Sequence, residues 1–268
     1  ILPLYSPPLV KSSKKRVWYM QKVHPGAAGP YSLAVDCSGR VGSVALGMGP
    51  DLIKEIVFSG KMRHSSELFP AMSQVLNSSG CKPQDIEFFC LTAGPGSFTG
   101  LRIAVTTAKM LNFAQGTKIV AVNTMDTIAE NATEYIEKTK NFFDKLIVIL
   151  DAKQSQFFTA VYKRKDRSWQ KMVNDTLMSS EHLINYAKKD QQSSAMLAGE
   201  GLFYHSEFFK SKGVKYLPSE YWRPKASNVL KIGYKMAQEG NFSDPQKLVP
   251  AYIRLPDAVE KWGNKEVL

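Results

Sequence analysis

The run Ala93-Gly94-Pro95-Gly96-Ser97-Phe98-Thr99-Gly100 has the residue types and spacing best suited to chemistry. A glycine-rich turn between a strand and a helix exposes backbone N–H groups at the helix N-terminus, which suits an anion. The established phosphate patterns fail on spacing. A Walker loop ends in Gly-Lys-Ser/Thr, whereas Gly100 is followed by Leu101 and Arg102. The dinucleotide fingerprint G-x-G-x-x-G is one residue shorter, and a nucleophile elbow G-x-S-x-G does not place serine directly after glycine, as Ser97 stands here. Two readings stay open. One is an anion- or nucleotide-proximal loop comprising Asp36, Gly94, Gly96, Ser97, Thr99, Gly100 and Arg102. The other is a tight turn with Ser97 or Thr99 as helix cap. Asp36 and Asp151 each end an apolar run, where a carboxylate serves either a metal or water beside a phosphate, or only its own turn. The histidines His24, His64, His182 and His205 show no metal spacing, and no Ser/His/Asp set can be assembled.

The elements that must position these residues follow from hydrophobic periodicity. Apolar runs predict strands at 31–36, 43–46, 52–58, 86–92 and 118–122, with helices at 65–79, 101–115 and 124–138. Ser65 or Ser66 is expected to cap the first helix. The pattern then restarts with strands at 146–151 and 157–163. Asp151 stands 115 residues after Asp36 in the same strand–Asp–turn–strand setting, and Gly199-Glu200-Gly201 stands 105 residues after Gly94-Pro95-Gly96. Two markers recurring in one order indicate an internal duplication. The expected class is α/β, with mixed sheets in two related halves, 31–140 and 141–255, and a tail at 256–268. A helix at 228–238 is expected to be able to cross back onto the first half.

Two helices stand out. Leu68, Phe69, Met72, Val75 and Leu76 share one face of the first. In the second, Leu101, Ala104, Val105, Ala108 and Leu111 belong to an apolar set that goes all round the cylinder. A helix apolar on every side must be covered on every side. These residues are therefore either core or a docking surface for a partner.

Composition bounds the rest. The chain has 268 residues, 44% hydrophobic and 22% charged, as in ordinary globular proteins. No apolar run approaches the roughly 20 residues of a membrane span. Cys37, Cys81 and Cys90 show no CxxC spacing, which disfavours a disulfide scaffold or a cysteine zinc site. The formal charge is +11, of which residues 1–30 supply +5 through Lys11, Lys14, Lys15, Arg16 and Lys22 without an acid. With five prolines and no periodic pattern, this arm reads as mostly disordered: a solvated tail, a targeting segment or an RNA-touching arm.

The segment Ala93–Ile103 resembles the signature of the TsaB (YeaZ) family. Leu33-Ala34-Val35-Asp36-Cys37-Ser38, Ser43-Val44-Ala45-Leu46, Arg63-His64-Ser65-Ser66-Glu67-Leu68-Phe69-Pro70 and Pro250-Ala251-Tyr252-Ile253-Arg254 resemble further stretches of it in the right order. The resemblance covers about residues 31–255 and implies an actin-like, sugar-kinase (ribonuclease H-like) fold. It also implies a role in making N6-threonylcarbamoyladenosine in tRNA as a non-catalytic subunit. The partners would be a paralogous TsaD-type catalytic subunit and a TsaE-type ATPase. ATP and metal would sit on those partners and no cofactor on this chain. Contact with tRNA would be indirect, with a homodimer when the chain is alone. The two apolar helices would form the interface. The paralogue carries Asn-His-x-x-x-His after the strand that corresponds to 118–122, where this chain has Asn123-Thr124-Met125-Asp126-Thr127-Ile128. Thr124 and Ile128 cannot replace imidazole ligands. A cytoplasmic location is implied, or an organelle matrix if residues 1–30 are a targeting segment. The alternatives are an ATP-binding kinase-like or metallopeptidase-like enzyme on the same fold, and an RNA-binding module using the basic arm.

Overall fold

The structure, a computed structural model, describes residues 29–188 and 195–253 together with the backbone of 18–20. The remainder of the basic arm, the tail 256–268 and Arg254 of the C-terminal motif lie outside the described residues. The first sheet opens with an edge strand, β1 (Trp18–Met20), followed by the meander β2 (Tyr31–Asp36), β3 (Ser43–Met48) and β4 (Asp51–Val57). α1 (His64–Ser78) then carries the chain to β5 (Ile86–Gly94), and α2 (Phe98–Gln115) carries it to β6 (Lys118–Asn123). The order is β1-β4-β3-β2-β5-β6; β5 runs parallel to both β2 and β6, and the other pairs are antiparallel.

β1 places one short strand within the arm that reads as mostly disordered. Trp18, Tyr19 and Met20 pair antiparallel with Ile56, Glu55 and Lys54. Two aromatics in a row favour extended backbone, and β4 would otherwise present a bare edge.

α3 (Thr124–Thr139) leads into the second sheet, β7 (Lys145–Asp151), β8 (Gln156–Lys165) and β9 (Ser168–Ser179). After α4 (Ser180–Lys188) comes β10 (Ala195–Ala198). Its order is β10-β7-β8-β9, with β10 parallel to β7 and the meander antiparallel. The first strand of each half thus lies between its hairpin partner and a parallel fourth strand. That shared topology is the duplication that the spacing of Asp36 and Asp151 predicts, and it is the two-half actin-like fold. The turns match in detail as well: Asp36 Oδ1 accepts the N–H of Ser38 at 3.1 Å and Asp151 Oδ1 that of Lys153 at 2.8 Å.

The first sheet is covered on both faces. Leu33, Val35, Leu46, Phe89 and Leu91 meet α1 and α2, while Ala34, Ala45, Cys90 and Val122 meet Val229, Leu230 and Ala237 of α6 (Ala226–Gln238). Two-sided burial explains why β2 and β5 read as continuous apolar runs and not as alternating ones. α6 follows α5 (Leu202–Ser211) and returns from the second half to the first, so the halves share a layer. Asn131 of α3, fully buried, donates to the carbonyls of Tyr221 and Arg223 and fastens that return.

β9 and α4 are absent from the sequence-based expectation. Ser65 and Ser66 do not cap α1 either: the helix starts at His64 with Arg63 as N-cap, and the Ser66 hydroxyl donates back to the Arg63 carbonyl.

Candidate functional site

The turn between β2 and β3, the glycine loop after β5 and the start of α5 converge where the two halves meet. Asp36 ends β2 fully buried. Its Oδ1 accepts from Ser38 N–H, from the Ser38 hydroxyl at 2.5 Å and from the Thr92 hydroxyl at 2.8 Å, while Oδ2 has no partner. Burial pushes the Asp36 carboxyl up, against the pull of the Ser38 and Thr92 hydrogen bonds. Across the junction, buried Glu200 accepts the Arg40 N–H at 2.8 Å through Oε2 and leaves Oε1 unpartnered. Burial, with the nearby Asp36 charge, raises Glu200 to about 7. The Arg40 guanidinium lies over the rings of Phe203 and Tyr204, and that of Arg223 over Phe203. His64, also buried, faces the Gly39 carbonyl through Nε2 at 3.0 Å.

Arg40, Glu200 and Arg223 were not singled out from the sequence. The available signal was an acid between two glycines, Gly199-Glu200-Gly201, at the end of an apolar strand: a carboxylate there is held at a strand terminus by a turn too tight for other residues. A Cβ on Gly199, at φ +116°, would lie 2.1 Å from the Ile149 carbonyl oxygen.

The glycine loop is filled by the chain itself. A Cβ at Gly100 would stand 1.9 Å from the Cys37 carbonyl oxygen, and one at Gly96 would stand 2.6 Å from that of Ser38. Gly94, at φ +126°, lies against Ala251, whose N–H donates to the Ala93 carbonyl at 2.7 Å. The Ser97 N–H goes to the Ser38 carbonyl, and the Ser97 hydroxyl caps α2 by accepting from the Gly100 N–H. The Ser97 N–H therefore ties the loop to the β2–β3 turn, and the Gly100 N–H is taken by the loop's own Ser97 hydroxyl. Thr99 is exposed and is not the cap. Arg102 points away from Asp36. Its guanidinium sits 3.6 Å above the Phe98 ring and its Nε donates to the Tyr252 hydroxyl, so Phe98, Arg102 and Tyr252 clamp the C-terminal segment onto α2.

Most of the residues expected at a partner interface are core. Leu68, Met72, Val75, Leu76, Ala104, Val105 and Ala108 are buried in the core against the first sheet, Leu101 is buried as well, Leu111 is half-buried, and only Phe69 of the ten is exposed. The reason is geometric: α2 is apolar all round, and its small residues, Ala104 and Ala108, are the ones that let it sit close to β5. Its outward side carries Thr106, Met110 and Phe113, spaced four and three residues apart, with Met110 54% and Phe113 94% exposed, while Ile103 is partly buried against the core. That spacing is the seam of a helix-on-helix contact. Met62 and Phe69 add exposed apolar surface just before and within α1.

The positions that resemblance equates with metal-binding histidines do not fit a metal. Thr124 and Ile128 are both fully buried, and Ile128 belongs to an apolar cluster with Met125 and Ala132. Asn123 instead caps α3, accepting from Met125 and Asp126 N–H. Among the described residues there is no group of three His, Cys, Asp or Glu side chains able to hold a metal ion, and no helix is long and apolar enough to cross a membrane.

Comparison with known proteins agrees with this geometry. A family model described as TsaD, tRNA N6-adenosine threonylcarbamoyltransferase, matches residues 52–249. The Bacillus subtilis tRNA threonylcarbamoyladenosine biosynthesis protein TsaB is 30% identical over 86% of this chain and 96% of its own length. The Escherichia coli protein of that name is 25% identical over 87% and 99%. The solved structure of YeaZ from Pseudomonas aeruginosa superposes with a TM-score of 0.69 at 19% identity, covering 83% of this chain and 99% of that one. A second Pseudomonas aeruginosa structure, of a protein similar to peptidase YeaZ, gives 0.71 at 20% identity, covering 84% and 100%. With its glycine loop, its two-half topology and a relative matched along nearly its whole length, the chain belongs to the TsaB family.

Proposed function

We propose that this chain is a non-catalytic subunit of the machinery that makes N6-threonylcarbamoyladenosine in tRNA, and that it acts by docking on a TsaD-type catalytic subunit. The names of its relatives place them in that biosynthesis. The observation that carries the docking role is the outward side of α2, Thr106, Met110 and Phe113, with Phe69 exposed on the neighbouring α1. An apolar stripe at helical spacing on a water-facing side is what a helix of another subunit would cover. The TsaD family model matches residues 52–249, which span both helices, so we infer an equivalent helix pair on that subunit and a four-helix contact between the two. A self-pairing of the same seams would give the homodimer of the isolated chain.

In this reading ATP and metal belong to the partner subunits, with a TsaE-type ATPase resetting the complex, and tRNA is contacted through the assembly. The chain's contribution is to hold the catalytic subunit in its active arrangement. The test is reconstitution: tRNA threonylcarbamoylation by the TsaD-type subunit and the ATPase, with and without this chain. The reading expects modification only when the chain is present. Equal activity without it would overturn the reading.

A further inference from the structure

A cavity of about 490 Å³ opens on the second half, far in sequence from the junction residues. It is lined by Thr133, Ile136, Glu137 and Lys140 at the end of α3, Phe142 of the following loop, and Arg164, Arg167 and Trp169 of the β8–β9 hairpin. Its volume falls in the usual range for small-molecule sites, about 300–1,000 Å³. Three cations converge on it against one acid, Glu137. The Arg164 guanidinium lies 5.0 Å from the Phe142 ring centre, and its Nη1 is buried without a hydrogen-bond partner. Its Nε is already held by the Asp166 carbonyl, so the fork is fixed in place. Lys140 and Arg167 are exposed and have no side-chain ion pair among the described residues. The aromatic wall is firm on one side, because Trp169 stacks on buried Phe143 at 5.4 Å, and open on the other, where Phe142 is 63% exposed.

Lys140 and Arg167 are water-facing cations beside an aromatic wall, a lining that suits an anionic group joined to a flat ring. One occupant suits this lining: an anionic oxygen met by the exposed Lys140 and Arg167 beside the Arg164 guanidinium, attached to a flat ring that stacks on Phe142 and Trp169. We propose that this cavity binds a nucleoside monophosphate unit, with the phosphate on the three cations and the base against the aromatic wall. The unit could come as a free nucleotide or as one residue of a single-stranded RNA segment. The site is separate from the α2 seam and does not depend on the subunit reading.

The test uses the full chain and two probes, adenosine 5′-monophosphate and a five-nucleotide adenosine RNA, measured by calorimetry at two salt concentrations. The variants are R164Q and the double variant K140Q/R167Q; the latter changes only exposed side chains and leaves the fold intact. The expected result is saturable binding of at least one probe, weakened tenfold or more in each variant. If the RNA binds at least tenfold tighter than the mononucleotide, with a steeper salt dependence, the source is a strand. If the two bind alike, the source is a free nucleotide. Absence of binding of either probe at millimolar concentration, or binding unchanged in K140Q/R167Q, would overturn the proposal; in the second case the nucleotide sits elsewhere on the chain.

Discussion

Glu200 Oε2 accepts the backbone N–H of Arg40 at 2.8 Å, a bond between residues 160 apart that ties the turn between β10 and α5 in the second half to the β2–β3 turn of the first. Its carboxyl is raised from 4.5 to about 7 by burial, with Asp36 adding to the rise. The sign follows from linkage. Between about 4.5 and 7 the unfolded chain has released this proton and the folded chain still holds it, so stability falls as pH rises through that window and levels off above it. The full loss is at most about 3 kcal/mol. Urea unfolding at pH 5 and pH 8 should show the wild type less stable at the higher pH. Glu200→Gln, which keeps the acceptor for Arg40 and cannot ionise, should flatten that difference. An identical pH dependence in both proteins would count against it.

Asp36 is the hub on the other side of the same junction. Asp36→Ala strands the Thr92 hydroxyl and both donors of Ser38, all buried or nearly so. Loss of about 2–3 kcal/mol is expected, since each orphaned buried group costs about 1 kcal/mol or more. Asp36→Asn keeps the Oδ1 acceptor and should cost far less. Chemical denaturation of the pair checks this.

The glycine loop yields a sharper contrast. Gly100→Ala puts a methyl group 1.9 Å from the Cys37 carbonyl oxygen, and backbone must move. A loss of about 3 kcal/mol or more, or insoluble protein, is expected. Gly80, at φ +66°, has nothing within 4 Å of a new Cβ, so Gly80→Ala meets only the left-handed backbone penalty of about 1–2 kcal/mol. Comparable losses in the two variants would refute the account of the loop as a close-packed lock.

Strand and helix existence was largely legible in the residues, and particular exceptions show why the rest was not. β9 reads Ser-Trp-Gln-Lys-Met-Val-Asn-Asp-Thr-Leu-Met-Ser and is half-exposed along its length, so its polar residues mask its alternation. β1 is three residues long and needed the edge of β4 to become a strand, a tertiary cause that its two adjacent aromatics alone do not reveal. On α2, sequence cannot say which side of an all-apolar cylinder faces its own sheet, and so it nominated Ala104 and Ala108 where the surface is Met110 and Phe113. The glycine loop is legible in the sequence, but its Ser97 N–H answers to the Ser38 carbonyl, a partner 59 residues away that spacing cannot reveal.

The helix pair separates core from surface by single residues. Ala108, fully buried, should tolerate no large polar side chain: Ala108→Arg is expected to unfold the first half by overpacking and burying an unpaired charge. Thr106→Arg, two residues earlier and facing water, should change the thermal midpoint little. Circular dichroism melts of the two variants distinguish the faces.

The central claim rests on the outward seam of α2, and the most direct measurement is complex formation between this chain and the TsaD-type subunit of its own source by size-exclusion chromatography with light scattering. The wild type is predicted to form a stoichiometric complex. The variant M110E/F113E, folded by circular dichroism, is predicted to lose it by at least tenfold in Kd. A complex of undiminished affinity in that variant, or no complex with the wild type, would contradict the account.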